Sequence, residues 1–130
     1  MTAPKLQRRD DPGPENAELG SEVIDLAHLR RFTLGDEALE QEILGLFIAQ
    51  LPVTIQALKE ARTDRDWLIA AHTLKGSARA VGAWRLARIA ELAERSARPS
   101  DQPGCELVLK DLAVAAREAR ERIDALGHRH

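Results

Sequence analysis

Apolar residues recur along this chain at helical spacing, in blocks separated by short polar, glycine- or proline-bearing breaks. Asp25 is placed to N-cap a short helix to about Phe32, burying Leu26, Leu29 and Phe32. Gly35-Asp36 opens a long second helix with the stripe Leu39, Ile43, Leu46 with Phe47, Leu51, Ile55, Leu58. Pro52 interrupts that helix and is expected to kink it, because its ring removes a backbone donor and crowds the preceding turn. Thr63 with Asp66 makes a capping-box-like start for a third helix ending near Gly82, with Leu68, Ala71, Leu74, Ala78 and Val81 as its stripe. A fourth helix spans about Trp84 to Ala97 on Leu86, Ile89 or Ala90, and Ala93. Breakers from Arg98-Pro99-Ser100 to Pro103-Gly104 predict a loop. The fifth helix, about Cys105 to Leu126, buries Val108, Leu112, Ala115 or Ala116, Ala119, Ile123 and Leu126. Short connections between such helices predict antiparallel neighbours: an all-α, up-and-down four-helix bundle with a short additional N-terminal helix. The bundle is expected over residues 21–127, after a disordered leader at 1–20 that holds Pro4, Pro12 and Pro14, and before a frayed tail at 128–130.

Composition agrees with helices. The 44% hydrophobic content carries only 3% aromatics and no Tyr, an Ala- and Leu-rich balance that disfavours a sheet. A chain of 130 residues suits one domain. The net charge of −2 supplies no bulk attraction to nucleic acid or an anionic membrane. Between Arg62 and Arg98, however, eight basic residues (Arg62, Arg65, Lys75, Arg79, Arg85, Arg88, Arg95, Arg98) face four acidic ones (Asp64, Asp66, Glu91, Glu94), a surface suited to an acidic partner. Cys105 is the only cysteine, which suits a reducing compartment. No apolar stretch is expected to reach the length of a membrane span, so a cytoplasmic location is expected.

The run His72-Thr73-Leu74-Lys75-Gly76-Ser77-Ala78 carries the chemistry. At about 100° per residue, His72 lies some 100–120° from the centre of the apolar stripe, so its ring is expected at the surface. Lys75 and Arg79 share its side, and Arg65 lies further toward the helix start. Gly76, at i+4, leaves the imidazole unshielded; an interior glycine costs a helix about 1 kcal/mol, and close approach of another protein is a reason to bear it. Ser77 points away, toward helix packing.

These residues resemble the His-x-Leu-Lys-Gly-Ser signature of histidine-containing phosphotransfer (HPt) domains. The resemblance continues through Gly82, Leu86, Ile89, Ala90, Glu91 and Ala93, and covers roughly residues 23 to 126. It implies a four-helix bundle with His72 as phosphoacceptor in a two-component phosphorelay. The implied partners are receiver domains of response regulators and a hybrid histidine kinase; the chain itself is a carrier without kinase or ATPase activity. Mg²⁺ is expected in the partner receiver, with no cofactor held by this chain. An exposed histidine, with an ordinary pKa near 6.5, is appreciably neutral at pH 7 and so nucleophilic. Lys75 and Arg79 are placed to stabilise the phosphorylated product, each by about 0.2–1 kcal/mol. Leu68, Ile69 and Arg65 form a docking rim. The family commonly places a polar residue, often Gln, on the next helix near the ring, and Glu94 occupies that position here. Its carboxylate is able to hold the ring N–H, or to turn outward to Arg98 or Arg79. Gln50 and Thr54 on the second helix are weaker candidates for orienting the ring.

Three rivals remain. A histidine kinase dimerisation helix has an acidic residue after the histidine and a proline soon after; here Thr73 follows, and no proline comes before Pro99. A metal or haem bundle wants paired ligands, whereas His72 has Gly76 at i+4, His28 is distant, and His128 and His130 suggest only adventitious chelation. A non-catalytic helical interaction module is the hardest to exclude. A four-helix core completed within one chain leads us to expect a monomer.

Overall fold

A computed structural model describes residues 23–127. The leader and tail expectations, and the histidines at 128 and 130, lie outside those residues. Among the described residues there are five helices and no strand: α1 (Leu26–Thr33), α2 (Glu37–Glu60), α3 (Asp64–Ala80), α4 (Trp84–Ser96) and α5 (Gln102–Gly127). Contacts run around a ring, from α2 to α3, α4, α5 and back to α2, while α1 packs on α2.

The caps expected at Asp25 and Thr63 form, and Asp36 caps α2 in the same way. Asp25, Asp36 and Thr63 each accept a hydrogen bond from a backbone N–H three residues on, satisfying a donor that the first helical turn cannot. Asp101 does the same for Gly104, so α5 begins at Gln102, and Pro103 and Gly104 belong to its first turn instead of a loop. A first-turn proline loses no intrahelical bond, which is why this breaker breaks nothing. Pro52 does not end α2 either; the helix is continuous through it.

Several apolar assignments are corrected. Phe32 is 65% exposed, because the inward face of α1 is Leu26, Leu29 and Thr33 and its ring falls roughly 90° away. It packs edge-on against His28, whose ring also meets Trp84 at a centroid distance of 4.8 Å. On α2 the buried positions are Glu40, Leu44, Phe47, Leu51, Thr54 and Leu58, whereas Leu39 and Leu46 face out and Ile43 is half-buried. The helix is apolar all round, so periodicity offers two faces and only packing chooses between them. The buried Glu40 is answered by Arg30, which donates from Nε at 2.8 Å and from Nη2 at 3.2 Å. Contrary to the sequence expectation, α2 is long and apolar enough to cross a membrane by length and composition. Its buried face nevertheless belongs to the bundle core.

On α3 the core position is Trp67, 1% exposed, and Leu68 is only half-buried. Trp67 donates its indole N–H to the carbonyl of Ala93 on α4 at 2.8 Å. Ala71 and Ala78 on α3 and Ala87, Ala90 and Ala93 on α4 are all buried, and their small side chains leave these two helices free to pack closely. Gly82 then ends α3 with φ +75°: its N–H reaches the Arg79 carbonyl and the Ala83 N–H reaches that of Ala78, a Schellman closure.

Candidate functional site

His72 projects from the middle of α3 with its side chain 70% exposed. Its Nδ1 lies 3.0 Å from Oε2 of Glu94 on α4. The other Glu94 oxygen, Oε1, lies 2.7 Å from the Lys75 ammonium, and both of these side chains are largely covered, at 18% and 22% exposed. The Lys75 hydrogen bond, with a smaller contribution from His72, holds the Glu94 carboxyl below its ordinary range against the opposing cost of burial.

The tautomer follows from these contacts. An ionised carboxylate only accepts, so Nδ1 must donate. In the neutral ring the lone pair therefore sits on Nε2, which has no hydrogen-bond partner among the described residues and faces solvent. The site is thus a nucleophilic nitrogen held in one orientation by a carboxylate that is itself neutralised by Lys75.

Trp67 positions this pair. Its bond to the Ala93 carbonyl pins the α4 backbone immediately before Glu94, while Arg98 donates from Nη1 to the carbonyls of Glu94 and Ala97. Glu94 therefore has its carboxylate on His72 and Lys75, and neither Arg98 nor Arg79 draws it outward. Sequence reasoning missed Trp67 as a strut, although the series 67, 71, 74, 78, 81 keeps a more even helical spacing than one begun at Leu68.

The other expected residues divide. Lys75 meets Glu94 instead of standing free. Arg79 is exposed, with its nearest carboxylate, that of Glu91, at 3.7 Å. Gln50 and Thr54 make no hydrogen bond to the ring; Thr54 is buried and donates to the Gln50 carbonyl. Ser77 donates to the Thr73 carbonyl within α3. Arg65 and Ile69 are exposed, with Leu68 half-buried beside them. Ile69 and Thr73 help line a groove of about 420 Å³ against Val53 and Ala57 of α2, so an open apolar cleft borders the turn that carries His72. Among the described residues, a Cβ built at Gly76 meets nothing within 4 Å beyond its own stretch of helix. Among the described residues no three His, Cys, Asp or Glu gather in a way that could hold a metal ion.

The bundle thus carries an exposed histidine oriented by a carboxylate, and comparison with protein families places the chain. The model of the Hpt domain matches residues 42–127, well over half of the chain, and the chain belongs to that family. Comparison with curated proteins and with solved structures yields no match. Membership assigns it, as a class, to phosphotransfer in two-component signalling, among carrier modules that work with receiver domains and histidine kinases.

Proposed function

We propose that this protein is a phosphorelay intermediate whose His72 takes a phosphoryl group from a receiver aspartate, or from a hybrid kinase, and passes it to another receiver. The observation that carries this reading is the Nδ1–Glu94 hydrogen bond on a ring otherwise open to solvent. The Nε2 lone pair attacks phosphorus, the bond to the aspartate oxygen breaks, and that carboxylate leaves with the electron pair. Mg²⁺ held by the receiver supplies charge neutralisation at the phosphoryl group, so this chain needs no metal, kinase or ATPase activity of its own. Arg79, exposed and only loosely paired with Glu91, swings toward the phosphoryl oxygens, and Lys75 acts at one remove by neutralising Glu94. Leu68, Ile69 and Arg65 receive the partner, with the cleft toward Val53 as an extension of that surface. The frame is an up-and-down four-helix bundle acting as a cytoplasmic monomer.

Incubation with a phosphorylated receiver and Mg²⁺ tests this. The wild type is expected to gain an acid-labile, base-stable phosphoryl group and His72→Gln none. Equal labelling of both proteins removes His72 as the acceptor. Binding without labelling of either would leave an interaction module.

A further inference from the structure

Phosphorylation changes what Glu94 faces. In the resting ring, Nδ1 carries the proton and Nε2 the lone pair. Once Nε2 is bonded to phosphorus, the ring has a substituent on both nitrogens while the Nδ1 proton remains, and it bears positive charge. Losing that proton to water would leave the Nδ1 lone pair and a carboxylate oxygen facing each other at 3.0 Å with no donor between them. A glutamine would answer either state of Nδ1, with its oxygen or its amide N–H; a carboxylate answers only the protonated one. The charges around the ring favour the same state. Glu94 approaches from α4, Lys75 from α3 covers its far oxygen, and Arg98 is engaged with backbone carbonyls. Arg79 lies on the side of Glu91, and the α2 residues considered for the ring, Gln50 and Thr54, carry no charge.

We infer that Glu94 is a positioning residue that keeps the proton on Nδ1 of phosphorylated His72 and so makes its phosphoryl group easy to give up. When the N–P bond breaks, its electron pair returns to Nε2. A ring that kept its proton departs as neutral imidazole, whereas one that lost it must depart as imidazolate, a far poorer leaving group. The acceptor is a carboxylate of a receiver, or water when no receiver is docked. Glu94 thereby sets the lifetime of the charged carrier. This rests on His72 being the phosphoryl carrier.

The test uses phosphoramidate, a small donor that needs no protein partner. Wild type, Glu94→Gln, Lys75→Met and the double variant are loaded, the donor is removed, and phosphohistidine decay is followed by ³¹P NMR from pH 6 to 9. Glu94→Gln should decay about 2- to 5-fold more slowly at pH 7, the scale of one partly exposed ion pair. That gap should persist with Lys75→Met and close at alkaline pH, where both rings lose the proton. ¹⁵N NMR should find Nδ1 protonated in the loaded wild type at pH 7. Equal decay at pH 7 overturns this inference alone, as does a gap that disappears in the Lys75→Met background, which would make a released lysine the cause. If His72 takes no phosphoryl group at all, the carrier reading falls and this inference with it.

Discussion

Two glycines, Gly82 and Gly76, sit six residues apart and are surrounded in opposite ways. Around Gly82 every position is filled: the Asp25 N–H donates to its carbonyl at 2.9 Å, and an added Cβ would lie 2.7 Å from the Asp25 carbonyl oxygen. Asp25 also accepts from the His28 backbone and, at 2.9 Å, from the Trp84 indole. At Gly76, among the described residues, nothing beyond its own stretch of helix comes within 4 Å of an added Cβ, and beside it His72 leaves Nε2 unanswered. The first glycine is demanded by the fold itself. The second weakens a helix with no contact in return, as Gly45 does in α2, and differs from Gly45 in lying one turn from His72.

Substituting each in turn sharpens that contrast. Gly82→Ala should cost about 2–4 kcal/mol in urea unfolding, because a left-handed φ and a backbone clash act together. A loss below 0.5 kcal/mol would mean that the Asp25 segment yields freely. Gly76→Ala should instead gain about 0.5–1 kcal/mol, as should Gly45→Ala, whose surroundings in α2 are equally open. The two then part in function: Gly76→Gln should slow transfer from a receiver and Gly45→Gln should leave it unchanged, so equal rates would deny Gly76 its role. The smallest effect concerns Glu94. Its lowered pKa stabilises the fold in full above the ordinary carboxylate range near 4.3, and that contribution is lost as pH falls through the lowered value. Acid titration of stability should therefore be shallower in Glu94→Gln, by no more than about 1 kcal/mol because the His72 end is exposed. Parallel curves would show that the Lys75–Glu94 pair adds nothing to stability.

The contrast also separates what is local from what is not. Helix number, the caps Asp25 and Thr63, the start of α2 at Asp36, and the surface position of His72 were all legible, because each depends on residues within a turn or two of one another. The inward face of α2 was not. A helix with Leu39, Leu46 and Val53 on one side and Leu44, Leu51 and Leu58 on another satisfies periodicity twice, and Arg30 reaching Glu40 helps select the second. Pro103 and Gly104 read as breakers because residue type alone does not say whether they stand before a helix or in its first turn.

At the site the division is the same. Sequence alone determined that a histidine stands on the polar side of a helix with a lysine and a glycine beside it, since the angle between neighbouring side chains is set by the backbone. Only tertiary structure decided that Glu94 turns inward to Nδ1, that Lys75 serves Glu94, and that Trp67 holds the two helices at that spacing. These are contacts between α3 and α4, and their geometry depends on the side chains packed between the helices, which no single-helix periodicity encodes.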